Sequence, residues 1–316
     1  MNEVKTIKIM EIIKSQESQF RQYLQQRQLS PKSINTYQHC INIFFNWLKD
    51  ETSDASEITY TDLLVFVKYC EKRGLKQNYI NKLMGVVRHY YNFLKYTGQT
   101  CGEHGRRTIK NNPAAGLYIR GRQRTIPHDL LTADQLEEMY NGFKQRGIAG
   151  KRNKIMLGLL IYQGLNTNEL EQLEPGHLKL KEGKTEVPGT RRSNRRILKL
   201  EAHQMLDLQE YVSKTRVYIL EIAEKQSEKL FVSSGGSDTL HGCIDKLVRQ
   251  LQKQCDYFVN AQQLRQSRIA LWIKQYDIRQ VQYMAGHKYV SSTERYQSTN
   301  LEDLQKELEK HHPSME

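Results

Sequence analysis

Apolar side chains recur at helical spacing through the N-terminal third of the chain. From Ile34 to Leu48 they fall three and four positions apart, which places them along one face of a helix. Ser30 and Pro31 form a typical helix start, because serine caps a helix N-terminus and proline is tolerated in its first turn. Comparable stripes occur over 15–24, 61–74 and 78–96. We therefore predict a small bundle of about four helices over 15–98.

The pattern of the second half changes from helical to alternating and back again. Thr132 and Gln135 have the spacing of a capping box, so a helix is expected to begin there. Between about 177 and 200, apolar and polar residues alternate around two turns, which predicts a short antiparallel sheet. Further helices are predicted at 154–162, 167–173, 201–214, 217–226, 240–254, 260–274, 277–285, 290–296 and 301–310. The predicted fold class is mainly α with a small antiparallel β-sheet.

A segment of different composition joins the two halves. It is rich in glycine, asparagine and proline, and over 104–128 it has no acidic residue. Its basic residues are Arg106, Arg107, Lys110, Arg120, Arg122 and Arg124. We predict a basic linker over 99–128 between a helical domain, 15–98, and a second domain, 129–316. The charge permits two interpretations: a solvated tether, or a strap that follows the phosphates of a nucleic acid.

The overall charge favours a polyanionic partner. Lys and Arg total 48 and Asp and Glu total 35, so the formal net charge is 48 − 35 = +13. The chain has no transmembrane-length apolar run and no secretory signal pattern, and its five cysteines form no CxxC pair. We therefore expect a cytoplasmic protein that has no membrane partner. Metal-ligand spacings, phosphate-binding loops and the GxSxG pattern are also missing, so we expect no metal and no other cofactor.

The predicted hairpin is the second basic segment. No acidic residue occurs between Glu186 and Glu201. Its arginines are Arg191, Arg192, Arg195 and Arg196. The hairpin tip is suited to entering a groove or contacting phosphates, although charge on an exposed sheet edge also protects against aggregation. Together with the basic linker, the hairpin favours double-stranded DNA as the partner.

The last third contains Gly286 and His287, followed nine residues later by Tyr296, within VQYMAGHKYVSSTERYQ. This segment resembles the end of the catalytic domain of tyrosine recombinases of the phage-integrase family. The residues around the motif are especially similar to those of integrases of bacterial mobile elements. The order of helices and hairpin is similar over nearly the whole chain. The resemblance implies a helical core-binding (SAM-like) domain over 15–98 and a catalytic domain with a C-terminal helix over 129–316.

The resemblance also implies a chemistry. In this family a tyrosine hydroxyl attacks the scissile phosphate and forms a 3′-phosphotyrosine intermediate, while arginines offset the developing negative charge. The resemblance assigns Tyr296 as the nucleophile, Arg265 of QQLRQSR as the second arginine, and His287 as a residue near the phosphate. It implies a dimer at each recombination site and a tetramer in synapsis, in the bacterial nucleoid. The helix at 301–310 is either exchanged between protomers or caps its own domain.

The match departs from the family at several positions of the site. Asn166 of GLNTNEL stands where the family has its first arginine, Gln262 replaces a histidine, and Thr190 aligns near the hairpin lysine. Loss of an oriented cation is expected to cost about 3–4 kcal/mol in the transition state. Two alternatives follow: an active enzyme in which nearby arginines supply the charge, or a catalytically impaired homologue that binds DNA or acts as an accessory protein. The possible substitutes are Arg191, Arg192, Arg195 and Arg268.

Overall fold

The computed structural model describes residues 15–51, 53–97, 111–119, 127 and 129–297, together with the backbone of 101–102 and 105–106. The chain divides into two compact units, Met1–Gln123 and Arg124–Glu316. The described residues are mainly helical with a small antiparallel sheet, so the predicted fold class is confirmed. The helix expected at 301–310 lies outside the described residues.

The described part of the first unit contains a bundle of helices. They are α1 (15–26), α2 (Pro31–Asp50), α3 (Tyr60–Lys72) and α4 (Gln77–Thr97). The cap of α2 is as predicted: the Ser30 side chain accepts a hydrogen bond from the backbone N–H of Ser33, and Pro31 follows the cap. The helices enclose an aromatic core, in which the rings of Phe44, Phe45 and Tyr90 are in mutual contact.

Part of the predicted linker packs against this bundle. Arg88 on α4 donates hydrogen bonds to the carbonyls of Ala114 (3.0 Å) and Leu117 (2.8 Å), and both of these residues are buried. Residues 111–119 therefore belong to the first unit. Two short antiparallel strands that the sequence analysis did not predict, β1 (Cys101–Gly102) and β2 (Gly105–Arg106), precede them. The other basic residues of the predicted linker lie outside the described residues: Arg107, Lys110, Arg120, Arg122 and Arg124.

The helices of the second unit surround α6, whose middle residues are fully buried. The described helices are α5 (Ala133–Asn141), α6 (Gly147–Ile161), α7 (Thr167–Gln172), α8 (Ala202–Glu210), α9 (Arg216–Ile222), α10 (His241–Gln252), α11 (Ala261–Gln275), α12 (Ile278–Ala285) and α13 (291–297). A π-helical segment, Tyr211–Thr215, joins α8 to α9, so the two helices predicted there form one continuous path. The predicted capping box of Thr132 and Gln135 begins α5.

A sheet of three short strands lies between α7 and α8 in the sequence. Its strands β3 (Leu178–Lys179), β4 (Lys184–Val187) and β5 (Arg196–Lys199) pair in that order and are all antiparallel, as predicted. On β5, Arg196 and Leu198 are buried while the alternate residues are exposed. The alternation of the strand thus turns an arginine toward the interior.

Candidate active site

A buried carboxylate, Glu169, lies at the centre of the candidate active site. It belongs to the first turn of α7, and Asn166 is the N-cap of that helix. The Asn166 side chain accepts the N–H of Glu169 at 2.9 Å, and the Glu169 carboxylate accepts the N–H of Asn166 at 3.0 Å. This reciprocal pair of hydrogen bonds holds the start of α7. The residue that stands in place of the family's first arginine therefore acts as a helix cap.

Arg196 is the principal partner of this carboxylate. Its Nη1 and Nη2 atoms lie 2.8 and 3.0 Å from the two carboxylate oxygens of Glu169, and neither side chain is exposed at all (0%). Its Nε donates to the carbonyl of Met284 at 2.8 Å. Burial would raise the pKa of Glu169, but the two guanidinium groups of Arg196 and Arg265 bring it below its ordinary value.

The basic hairpin predicts a DNA contact for Arg196, but the structure buries this residue instead. The inward side of β5 and the bidentate pair with Glu169 leave its guanidinium without access to a phosphate. Arg195, the preceding residue, points outward: its side chain is 71% exposed and forms an ion pair with Glu186 on β4.

Arg265 on α11 is held by two carbonyls, one in the loop after α6 and one at the end of α12. Its Nη1 donates to the carbonyl of Gly164, just after α6, and its Nη2 donates to the carbonyl of Ala285, at the end of α12. Nη1 also lies 3.4 Å from Glu169. Because these contacts come from three separate elements, the direction of the Arg265 side chain depends on the tertiary structure.

The Gly286–His287 pair ends α12 beside Arg196. Gly286 has a φ of +68°, in the left-handed region, and a Cβ built there would lie 2.5 Å from Nη1 of Arg196. The Nδ1 atom of His287 lies 2.8 Å from the Thr293 hydroxyl. Burial, together with the positive charges of nearby arginines, lowers the pKa of His287 to about 4. The imidazole is therefore neutral at neutral pH.

Tyr296 on α13 lies in a small apolar cluster. Its side chain is 1% exposed and packs with Ile269, Trp272 and Val281. Its ring stacks on the ring of His287, with 6.3 Å between centroids and an interplanar angle of 18°. The Nη2 atom of Arg295 donates to the Tyr296 hydroxyl at 3.2 Å, and the guanidinium lies 5.1 Å from the ring centroid.

A groove of about 800 Å³ lies beside these residues. Its lining includes most of the site residues singled out from the sequence, namely Asn166, Thr190, Arg191, Arg192, Gln262, Arg265 and His287, together with Arg295. Tyr296 borders this set through its contacts with His287 and Arg295 but is enclosed by its own cluster. We call this feature the site groove.

The hairpin tip is fastened to the end of α12. The Thr190 hydroxyl accepts the N–H groups of Arg192 (3.1 Å) and Ser193 (3.0 Å), which closes the turn. The N–H of Asn194 donates to the carbonyl of Gly286 at 2.9 Å. The tip therefore forms one wall of the site groove, with Arg191 and Arg192 exposed on it.

Arg268, one helical turn beyond Arg265, does not line the site groove. Its Nε donates to the carbonyl of Tyr162 at 3.0 Å, and its guanidinium lies over the rings of Tyr162 and Trp272. It lines a second groove of about 750 Å³, between β5, α11 and α12. The structure thus separates this arginine from the other proposed substitutes.

Sequence reasoning missed two residues of the site, Glu169 and Arg295. Glu169 occupies the glutamate position of the segment GLNTNEL that was compared with the family pattern, so a signal for it was present. Arg295 directly precedes the predicted nucleophile, but nothing in the sequence indicates that its guanidinium folds back onto the tyrosine hydroxyl.

Among the described residues, no group of three His, Cys, Asp or Glu side chains could hold a metal ion. None of the described helices is long and apolar enough to span a bilayer.

Both parts of the chain match models of known protein families, and the whole chain has relatives of similar length. The sequence model of the phage integrase family matches residues 129–302, and that of the phage integrase N-terminal SAM-like domain matches residues 18–98. The tyrosine recombinase XerC of Bacillus licheniformis is 26% identical over 300 residues, which cover 93% of this chain and 95% of the relative. The XerC of Bacillus subtilis is 25% identical over 309 residues, covering 96% and 98%.

Solved structures share the fold at low sequence identity. The site-specific recombinase XerH, in a post-cleavage complex with a palindromic difH substrate, superposes with a TM-score of 0.66 at 19% identity, over 89% of this chain and 80% of that one. A lambda integrase dimer bound to a COC′ core site superposes with a TM-score of 0.60 at 15% identity, over 89% and 76%.

Proposed function

The chain belongs to the phage integrase family, and we propose that it cuts and rejoins double-stranded DNA at specific sites with Tyr296 as the nucleophile. Its relatives over nearly their whole length are tyrosine recombinases, so its activity is site-specific tyrosine recombination. The alternative of a homologue that only binds DNA has no support in these comparisons. The observation that carries the proposed roles is the convergence of Arg265, His287 and Tyr296 at the end of α12.

The reaction exchanges one phosphodiester bond for another. The Tyr296 hydroxyl gives up its proton as its oxygen attacks the scissile phosphorus. The bond from phosphorus to the 5′-oxygen breaks, and the leaving oxygen takes up a proton to become a free 5′-hydroxyl, so no net proton is gained or lost. Attack by a 5′-hydroxyl on the 3′-phosphotyrosine reverses these steps and rejoins a strand. Arg265 offsets the negative charge on the phosphate oxygens, and neutral His287 forms a hydrogen bond there. The bond energy is conserved, so the exchange requires no external energy source.

The nucleophile must move before it can react. With 1% of its side chain exposed, Tyr296 cannot meet a phosphate in the site groove without leaving its apolar cluster. We propose that DNA binding displaces α13 and exposes the hydroxyl. The Tyr296 ring stacks on the ring of His287, and His287 lines the groove. A small displacement of α13 is therefore enough to bring the tyrosine hydroxyl into the groove.

The exposed arginines of the hairpin are suited to DNA backbone contacts. Arg191 and Arg192 line the groove, and Arg195 presents an exposed guanidinium on the same hairpin. We propose that further phosphate contacts come from the basic residues of the predicted linker, Arg106, Arg107, Lys110, Arg120, Arg122 and Arg124. XerH and lambda integrase, which share the fold, were captured on DNA, which supports a DNA partner for this chain.

Two further proposals concern the assembly of the protein on DNA and its biological source. We propose a dimer at each recombination site and a tetramer in synapsis, consistent with the lambda integrase dimer on its core site. An integrase of a bacterial mobile element remains a prediction, since relatives with the same fold include both Xer recombinases and a Tn1549 transposon integrase. We propose the bacterial nucleoid as its location, because its substrate is double-stranded DNA.

A suicide-substrate experiment tests the proposed function. The Tyr296→Phe variant first selects bound duplexes from a randomised library, so that selection depends on binding and not on cleavage. The recovered duplex is then prepared with a nick next to each candidate scissile phosphate, so that the released fragment diffuses away and traps the covalent intermediate. The wild-type chain should form an adduct that survives denaturation, and Tyr296→Phe should bind without forming it. Binding without any wild-type adduct would leave a DNA-binding protein only.

A further inference from the structure

The site groove contains positive charge even though Asn166, which stands in place of the family's first arginine, is uncharged. Glu169 contributes one negative charge, and the bidentate pair with Arg196 neutralises it inside the protein. The guanidinium of Arg265 is then available to the groove as a net positive charge. A phosphoryl transition state distributes negative charge over several oxygens, which a second oriented cation stabilises.

Most of the arginines near Asn166 are poorly placed to be that second cation. Arg196 is fully buried and engaged with Glu169, and Arg268 faces the second groove. Arg191 and Arg192 are exposed on the hairpin tip, where long side chains are mobile and are better suited to contacts along the DNA backbone.

Arg295 combines three properties that none of these residues has together. It lines the same groove as Asn166, Arg265 and His287. Its Nη2 atom lies 3.2 Å from the Tyr296 hydroxyl. It is also close to the other site residues electrostatically: burial lowers the pKa of both Arg265 and His287, and the positive charge of Arg295 lowers it further.

We infer that Arg295 is a further catalytic residue of this recombinase, the arginine that supplies to the scissile phosphate the positive charge missing at Asn166. The inference rests on the proposed function of the site groove. A guanidinium has five N–H donors in a planar fork, so Arg295 can donate to the Tyr296 oxygen and to a phosphate oxygen at the same time.

Arg295 and Tyr296 are consecutive residues on α13. Because Arg295 is adjacent to Tyr296 on α13, any displacement that brings the tyrosine to the phosphate brings the guanidinium with it. An arginine at position 166 would instead be held at the cap of α7, independent of the nucleophile. In this chain the nucleophile and the second cation are therefore delivered together.

The competing explanation is structural: the guanidinium of Arg295, 5.1 Å from the ring centroid, holds the Tyr296 ring in place and does nothing to the phosphate. The two explanations differ in whether a positive charge placed elsewhere in the groove can replace Arg295. A charge at position 166 can do so only if the phosphate is what Arg295 acts on.

The experiment measures single-turnover cleavage of the nicked duplex at saturating protein. We expect Arg295→Gln to cleave about 10²–10³-fold more slowly than wild type, the effect of losing one oriented transition-state donor. Arg295→Lys should recover part of the rate, and the double variant Arg295→Gln/Asn166→Arg should recover more, although it does not restore a guanidinium beside the tyrosine ring. Arg279→Gln is the matched control, since it removes the same charge from the exposed face of α12 outside the site groove and should leave the rate unchanged.

The outcomes separate this inference from the proposed function. If the wild-type chain forms no adduct, the proposed function fails. If it does, and Arg295→Gln cleaves at the wild-type rate, the inference is overturned. It is also overturned if Arg295→Gln is slow and the Asn166→Arg double variant binds the duplex but recovers no rate, even if Arg295→Lys recovers some, because Arg295 then only holds the tyrosine.

Discussion

Gly286 lies against Arg196 so closely that a β-carbon on the glycine would be 2.5 Å from the Nη1 atom of the arginine. The Gly–His segment that identifies the site in the sequence is thus tied to a buried arginine on β5. The same guanidinium binds Glu169 on α7 and the carbonyl of Met284 on α12. Three elements that carry site residues are therefore joined through one side chain.

Gly286→Ala should destabilise the protein by about 2–5 kcal/mol, from the left-handed backbone of an L-residue and from the clash with Arg196. Gly183→Ala is the matched control, because Gly183 also has a positive φ (+63°) but its added Cβ would meet only Met205 at 3.5 Å. Urea unfolding of both variants measures the difference. Equal losses would mean that the contact with Arg196 contributes nothing.

Glu169→Gln should be among the most destabilising single changes in the second unit. It removes the negative charge that pairs with the fully buried Arg196, and breaking a buried pair on one side costs roughly 3–5 kcal/mol. Glu174→Gln removes the carboxylate of a partly exposed pair with Lys229 and should have a much smaller effect. The free energy of unfolding in urea compares the two, and similar values would argue against a structural role for the buried pair.

The stability of the protein should fall as the pH drops from about 6.5 to about 4, owing to His287. Its pKa is about 4 in the folded chain and 6.5 without these surroundings, so the unfolded state binds the proton more readily. The contribution is fully present above pH 6.5 and is lost as the pH falls toward 4. Unfolding at a series of pH values should show a shallower dependence for His287→Gln than for wild type, and identical slopes would contradict this prediction.

The hairpin tip should contribute to DNA affinity through phosphate contacts. Arg191→Gln and Arg192→Gln should each weaken binding to the selected duplex and to unrelated duplexes alike. Each should also reduce the slope of log affinity against log salt by about one. Lys151→Gln serves as the control, because Lys151 is on α6, paired with Glu210 and remote from the site groove. Fluorescence anisotropy over a range of salt concentrations measures the slopes, and an unchanged slope in both arginine variants would remove the tip from the DNA interface.

Much of the fold could be predicted from local patterns. The cap at Ser30, the capping box at Thr132 and the three alternating strands between 177 and 200 all depend on residues close together in the sequence, and the structure has each of them. The packing of residues 111–119 on α4 could not be predicted in this way. A segment rich in glycine, asparagine and proline resembles a free linker unless one knows that Arg88 binds its carbonyls.

The residue types at the motif positions could be read directly from the amino-acid sequence: Tyr296, His287 and Arg265, and asparagine where an arginine was expected. The roles of the arginines depend on how the chain folds. Arg196 and Arg195 are neighbours in a basic run, yet one is buried against Glu169 and the other is exposed, since successive residues of a strand face opposite sides. Arg295 contacts the tyrosine hydroxyl and the site groove because α13 packs beside α12. Charge in a sequence has a sign and a position, but its partners are set by long-range packing, which local pattern does not encode.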